Sequence, residues 1–403
     1  MTVNHIAIIG AGLAGVNGAR ELRNTGFNGT ITLINGESHA PYDRPPLSKN
    51  VLINDSATVP LLESDDWYQD NQINRRDSAW VTEINADCEI MLKDGDSLQA
   101  DRIILATGSR PRRLALLEAA DIHAFYIRNV EDAYALREHL RPGLHLGVVG
   151  AGFIGLEVAA NARTLGLDVT VFESAPAVLG RVLTSKTGSF IAARHRSAGV
   201  TIKESTSITS AVSHGTHGAR LTLNDKTCIE VDLIVVGIGS LANDALCATA
   251  GIESSNGILV DEQARTSVPT IYAVGDCARY PCPWRGSMVR CEQWKHACEH
   301  ARFAARTILG VHERYSAIPW FWSDQYEMSI QLVGHTDTLS HVERQTKDGL
   351  VIFHLDNGSL RGATFINQPR LRRLVTKLIE ENIILSPDKL ANPDFDLKTL
   401  IAP

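Results

Sequence analysis

The sequence predicts an α/β protein built around two dinucleotide-binding units, and three observations carry that expectation. An apolar strand runs into Gly10-x-Gly12-x-x-Gly15. The same device returns at Gly150, Gly152 and Gly155, and each copy leads to a second apolar strand that ends near an acid. The bulk properties fit such a chain. Its 403 residues are 44% hydrophobic and 21% charged, enough for two or three ordinary cores. A net charge of −7 supplies no general basic field, so nucleic acid is not an expected partner. No apolar run approaches the ~18 residues that would suggest a membrane span. The chain enters its first strand at Ile6 with no basic leader or cleavage site, and its seven cysteines are an odd number. Both point to a reducing, cytoplasmic setting rather than export.

In the first copy, "IAIIGAGLAG" (residues 6–15), four apolar residues make a buried strand and a helix follows from about Ala14 to Thr25. Each glycine has a mechanical task. Gly10 permits the tight turn, Gly12 lets backbone N–H groups approach a pyrophosphate, and Gly15 lets helix and strand pack closely. The helix N-terminus then faces the phosphate charge. The next apolar strand, 31–34, ends at Asn35-Gly36-Glu37, where an acid can bond a ribose hydroxyl.

The second copy, "LGVVGAGFIGLEVAANARTLGLDVTVFES", repeats strand, glycine loop, helix and strand, and its second strand (169–172) ends at Glu173. Two such units imply two dinucleotides, and the natural pair is a flavin and a nicotinamide. Glu173 would accept both ribose hydroxyls and repel a 2′-phosphate, which favours NADH over NADPH. Arg181 lies eight residues on, so that preference is one of degree.

Three further segments fit the plan. "RIILATGSRPR" (102–112) is a strand running into a domain boundary, and "LIVVGIGSLAN" (233–243) is its counterpart after the second unit. "TIYAVGDCA" (270–278) delivers Gly275-Asp276. That aspartate suits a flavin ribityl hydroxyl, with an ordinary helix N-cap as its other use. Between the units stands "PYDRPPLSK" (41–49), a stiff, charged stretch matching no standard cofactor motif.

The order GxGxxG, PYDRPPLSK, ATG, GxGxIGLE, GIG, GDCA and PWFWSDQ (319–325) resembles the FAD-dependent ferredoxin–NAD(+) reductases of bacterial oxygenase systems. These include the reductase components of aromatic-ring dioxygenases and the putidaredoxin and rubredoxin reductases. The resemblance spans essentially the whole chain. It implies the glutathione-reductase type of fold: two Rossmann-like domains, one for FAD and one for NAD, plus a C-terminal α+β domain. The corresponding boundaries are 1–110 with 242–318 for FAD, 111–241 for NAD, and 319–403 for the reductase domain.

The resemblance also assigns residues. Gly10, Gly12, Ala14 and Gly15 match the flavin pyrophosphate loop, and Lys49 the lysine beneath the isoalloxazine. Arg44, Val81, Arg128, Asp276 and Trp294 match further FAD contacts. Gly150, Gly152, Ile154, Gly155, Glu173, Arg181 and Gly239 match the NADH site. Members often carry Gly-Asp where this chain has Asn35-Gly36, so the ribose contact is expected to pass to Glu37. Glu157, on the helix that opens the NADH unit, is the expected partner of Lys49, and the two form the expected catalytic pair. Lys49 would stabilise negative charge on reduced flavin.

The cysteines bear on the alternatives. Disulfide reductases and peroxide-reducing NADH oxidases of this architecture need a thiolate beside the flavin. Here the first cysteine is Cys88, and PYDRPPLSK has none. Flavoproteins like the apoptosis-inducing factors are a third possibility, but they carry anchor segments and long insertions. Cys277 and Cys282 form a C-x4-C in a loop stiffened by Pro281 and Pro283; Cys277 is expected to pack against the neighbouring helix, and no metal site is expected. Lacking C-x4-C-x2-C, the chain has no plant-type iron–sulfur cluster of its own, so its one-electron acceptor is expected to be a separate 2Fe–2S ferredoxin. Arg370, Arg372 and Arg373, with Trp320 and Trp322, are the expected docking residues; Arg110, Arg112 and Arg113 form a second basic cluster.

Overall fold

The computed structural model describes residues 3–336, 340–347 and 349–400. They fall into two compact units, the first formed by the described residues up to 43 with 60–110 and 240–320, the second by 44–59, 111–239 and the described residues from 321 on.

The first unit is organised by a five-stranded parallel sheet in the order Ile271–Ala273, Arg102–Leu105, His5–Ile9, Thr30–Ile34, Ile73–Arg76. Its inner strands read as largely apolar runs because both faces are covered, whereas the edge strand Ile73–Arg76 is mostly polar. Ile6, Ile8, Ile31 and Leu33 are fully buried, each burial stabilising by roughly 1.5–3 kcal/mol. Helix Leu13–Asn24 crosses between the first two strands, and helix Trp294–Ile308 packs along it. A Cβ at Gly18 would stand 3.9 Å from that of Ala301, so the contact is close, and Arg302 and Arg306 secure it through Asn17 and Glu21. On the other face a three-stranded meander (Val81–Ile84, Glu89–Leu92, Ser97–Gln99) contributes Val81, Ile84 and Ile90 to a second core.

The second unit repeats the parallel arrangement with four strands, in the order Thr201–Lys203, Asp168–Phe172, His145–Val149, Leu233–Val236. Helix Phe153–Thr164 makes the crossover, and Phe125 adds a parallel bridge beside Val235. The C-terminal part is a five-stranded antiparallel sheet, in the order Trp320–Gln325, Met328–Gly334, Ser359–Ile366, Leu350–Asp356, Ser340–Gln345. Helix Arg372–Glu380 lies on it through Val375, Leu378 and Ile379.

Two local readings are corrected. The stretch read as a proline-stiffened loop is a hairpin, with strands Ala278–Cys282 and Ser287–Arg290 paired antiparallel. Asp276 caps no helix: it sits inside a short 3-10 turn, Gly275–Cys277, and accepts a hydrogen bond from Ser109 Oγ. Cys277 is buried in that turn, which packs against helix Trp294–Ile308, with its thiol 3.4 Å from the Leu105 carbonyl and 3.2 Å from that of Val274.

Beneath that turn lies a buried aromatic stack. Tyr280 and His296 are 4.8 Å apart at 19°, His296 and His300 are 4.8 Å apart at 29°, and Tyr315 closes over both. Burial pushes the His300 imidazole down to about 3, and burial with its neighbour His300 pushes His296 well below the usual value. Unfolded, both titrate near the ordinary ~6.5. Below that pH the unfolded chain therefore binds protons that the fold refuses, and each histidine removes about 1.4 kcal/mol of stability per pH unit on acidification. Denaturant unfolding of the whole chain should lose stability as pH falls from the ordinary histidine range towards about 3, and His300→Phe should flatten that slope by about one histidine's share. An unchanged slope would contradict the assignment.

Candidate functional site

In the first unit the polar features gather beyond the carboxyl ends of three parallel strands, where open α/β sheets bind ligands. The glycine loop follows Ile9, Ala106-Thr107-Gly108 follows Leu105, and Gly275-Asp276 follows the strand that ends at Ala273. They are in mutual contact. A Cβ at Gly10, whose φ is +105°, would stand 2.3 Å from the Ala106 carbonyl oxygen, and one at Gly275 3.1 Å from Ala14 Cβ. A Cβ at Gly15 would fall 1.9 Å from the Gly10 carbonyl oxygen, so helix and strand close only over glycine. Gly12 differs: nothing of the protein lies within 4 Å of its would-be Cβ. The fold does not require glycine there. A pyrophosphate would fit that open space at a helix N-terminus.

The acid of this unit departs from the second copy. Gly10 N donates to Ile34 O, and Gly150 N donates to Phe172 O, so the register makes Asn35, not Glu37, the counterpart of Glu173. The Asn35 carboxamide is spent on the turn, donating to His39 O and Asp77 Oδ1 and accepting from Glu37 N. Glu37 accepts from the Tyr42 hydroxyl at 2.5 Å. Trp80 lies against Gly36, where a Cβ would meet its ring at 2.8 Å. Val81 is buried in the meander beside it, and Trp294, half exposed, donates its indole N–H to Asp43 at 2.9 Å.

In the second unit the same geometry recurs. A Cβ at Gly150 would stand 2.5 Å from Gly237 O and one at Gly155 2.2 Å from Gly150 O, while at Gly152 the nearest atom is 3.8 Å away. Glu173 stands at the loop, accepting from Ala151 N at 2.7 Å and Ala175 N at 2.8 Å. Arg181 is exposed, its guanidinium 3.8 Å from where a Cβ on Gly239 would stand, and Ile154 presents an exposed apolar side chain at the helix start.

The most concentrated chemistry in this unit lies around Lys49. Pro45–Ser48 forms a 3-10 turn with proline at its start, anchored by buried Leu47, Val51 and Leu52. Lys49 Nζ lies 3.0 Å from Glu157 Oε1 and 5.8 Å from the Trp322 ring. Glu157 is 3% exposed and its carboxylate accepts two more hydrogen bonds, from Ser48 Oγ at 2.5 Å and Ser323 Oγ at 2.6 Å. One turn along the same helix face, Asn161 donates to Ser48 O at 2.7 Å. Arg44 reaches the Arg128 carbonyl at 2.6 Å. The prolines are thus only part of the brace; Glu157 and Asn161, four residues apart on one face, supply the rest. Ser48, Asn161 and Ser323 were not singled out from sequence. The helical spacing of Glu157 and Asn161 was the available signal.

The basic runs are largely engaged. Arg110 donates to Ala242 O and Asn243, and Arg113 pairs with Glu118 over the Tyr126 ring, while Arg112 is exposed. Arg370 and Arg373 are exposed near the start of the last long helix, Arg372 is partly buried there, and Trp320 and Trp322 are half-buried. All seven cysteines are free thiols. Burial pushes Cys88, Cys277 and Cys291 up, and Cys247 and Cys298 up to about 12, the reverse of what a nucleophilic thiolate needs. Among the described residues no group of three or more His, Cys, Asp or Glu is arranged to hold a metal ion, and no helix is long and apolar enough to cross a membrane.

Two glycine-loop cradles, each at the carboxyl ends of a parallel sheet, define a two-dinucleotide oxidoreductase. Residues 4–301 match the pyridine nucleotide-disulphide oxidoreductase family and residues 320–401 the reductase C-terminal family; the chain belongs to the former and carries the latter's domain. It is 39% identical to rhodocoxin reductase of Rhodococcus erythropolis over 98% of this chain and 94% of that one. It also superposes on putidaredoxin reductase from a covalent complex with putidaredoxin (34% identity, TM-score 0.93, 98% of each chain). A third match is the ferredoxin reductase for the CYP199A2 system of Rhodopseudomonas palustris (33%, TM-score 0.94, 99% of this chain and 100% of that one). FAD and NAD(H) are the cofactors.

The glycines separate ligand need from fold need. Gly12→Ala should leave the melting temperature of FAD-free protein unchanged and weaken FAD retention, whereas Gly15→Ala should destabilise the chain itself. Gly152→Ala should raise KM for NADH at normal FAD content. A Gly12→Ala protein that keeps FAD at wild-type affinity would contradict the placement of the flavin pyrophosphate.

Proposed function

We propose that this chain is an NADH-dependent flavoprotein reductase that passes electrons through FAD to a separate 2Fe–2S ferredoxin. That ferredoxin in turn feeds a terminal oxygenase, an aromatic-ring dioxygenase or a cytochrome P450, in the cytoplasm. The supporting observation is the braced lysine: where related flavoenzymes of this architecture use a thiol, residues 41–49 carry none and place Lys49 on a buried carboxylate. Bound FAD supplies the chemistry, accepting a hydride and releasing electrons one at a time. The parts of the chain have separate roles. The glycine loop 10–15 with Ala14, Asp276 and Trp294 holds the flavin nucleotide, joined by Glu37, Arg44, Val81 and Arg128, and residues 1–110 with 242–318 form its domain. Gly150, Gly152, Ile154, Gly155, Glu173, Arg181 and Gly239 hold NADH within 111–241. Lys49 supplies positive charge beside the flavin, and Glu157 keeps it there.

Electron transfer to a protein partner, rather than thiol or peroxide turnover, is supported by the buried, up-shifted cysteines and by relatives that work with putidaredoxin or another ferredoxin. Such partners present acidic surfaces, so docking needs a local basic patch on this net acidic chain. Arg370 and Arg373, with Arg372 behind them, offer one, and Trp320 and Trp322 an aromatic edge.

Cytochrome c reduction by NADH, with and without a 2Fe–2S ferredoxin, tests the proposal. Strong ferredoxin stimulation is expected, weakened by salt and by Arg373→Glu, with flavin reduction slowed about tenfold or more in Lys49→Met. Turnover that ignores ferredoxin and instead consumes peroxide or a disulfide would refute it.

A further inference from the structure

Behind Glu157 the hydrogen bonds continue beyond what the pairing with Lys49 requires. Gln325 Nε2 donates to Ser323 Oγ at 3.0 Å, and His195 Nε2 lies 2.8 Å from Gln325 Oε1. Ser323 and Gln325 are two residues apart on strand Trp320–Gln325 and therefore share a face, with exposed Asp324 on the other. All four side chains are buried: Glu157 at 3% exposure, Gln325 at 1%, Ser323 and His195 at 0%.

Every hydrogen in this line has a determined direction. The Gln325 carbonyl oxygen can only accept, so His195 carries its hydrogen on Nε2. The Gln325 amide donates to Ser323, so the single hydroxyl hydrogen of Ser323 goes to Glu157. His195 Nδ1 is left without a hydrogen-bond partner among the described residues. The groups around the imidazole are the Tyr326 ring at 5.1 Å, Gln325 and, on its own helix, Arg194, which is paired with Glu327. Burial holds His195 below its ordinary value, so the ring is neutral through the neutral range and the polarity of the line does not reverse.

We propose that His195, acting through Gln325 and Ser323, is a positioning residue that fixes the orientation of the Glu157 carboxylate and thereby the place of the Lys49 ammonium. A glutamate and a lysine both lose much side-chain entropy when ordered, so a carboxylate approached by Lys49 alone holds neither side chain well. Donors on Ser48 and Ser323 bring it in from two separate segments, and Gln325 and His195 prevent the Ser323 hydroxyl from turning elsewhere. The inference rests on the reading of Lys49 and Glu157 as the working pair.

The test compares wild type with Gln325→Leu, Gln325→Glu, His195→Leu and His195→Gln, with Lys49→Met as reference. Gln325→Glu is isosteric, and its carboxylate takes the Ser323 hydrogen away from Glu157, so it reverses the line without emptying the core. In His195→Gln the side-chain amide restores a donor near the position of Nε2. Nitrogen-15 NMR of the imidazole in wild-type protein should show a neutral ring protonated on Nε2. The limiting rate of flavin reduction should fall about tenfold in both Gln325 variants and in His195→Leu, with KM for NADH changed by less than about twofold, and should recover in His195→Gln. A ring protonated on Nδ1, or Gln325 variants as fast as wild type while Lys49→Met is slow, would overturn the relay and leave the pair standing. A fast Lys49→Met would remove the pair itself.

Discussion

Glu157 is a carboxylate with almost no access to water, and the cost of burying it shapes everything near it. An unpaired buried charge costs several kcal/mol, and removing one partner of such a pair typically destabilises by about 3–5 kcal/mol. Three donors resolve the problem here, from Lys49, Ser48 and Ser323. They come from two segments, so satisfying one side chain draws the proline turn at 45–48 with its following Lys49, and the strand at 320–325, onto helix Phe153–Thr164. A buried ion pair of this kind adds little net stability over a hydrophobic core. What it does provide is a lysine with few places to go.

The two dinucleotide units show one physical device used twice and adjusted once. In both, the first and last glycines of the loop are demanded by neighbouring backbone, while the middle one faces open space. The adjustment is at the end of the second strand. Glu173 reaches the loop N–H of Ala151, whereas Asn35, in the same register, turns its amide into the chain and leaves the acid to Glu37. The two cradles therefore differ in the side chain that stands at the end of the second strand, a carboxylate in one and a carboxamide in the other.

Much of this was legible in the sequence because it is local. Strand, glycine loop, helix and acid lie within about 30 residues, and backbone sterics fix their order. Lys49 and Glu157 were readable as a pair only through resemblance, being far apart in the chain. Their supporting groups were not readable at all: Ser48 and Glu157 are separated by 109 positions, Ser323 and Glu157 by 166, His195 and Gln325 by 130. Serine, glutamine and histidine give no periodic signal, and only the folded sheet shows which of them share a face. The hairpin at 278–290 was missed for the opposite reason. Pro281 and Pro283 are strong loop signals locally, and pairing with Ser287–Arg290 overrides them.

The proposed role of Lys49 is that of a braced positive charge acting on the flavin. The two-electron reduction potential of bound FAD, measured in wild type and in Lys49→Met of equal FAD content, tests it most directly. A cation that stabilises the reduced, negatively charged form should, on removal, make the potential more negative by about 30 mV or more, equivalent to about 1.4 kcal/mol. A potential that does not move would rule out that role for Lys49.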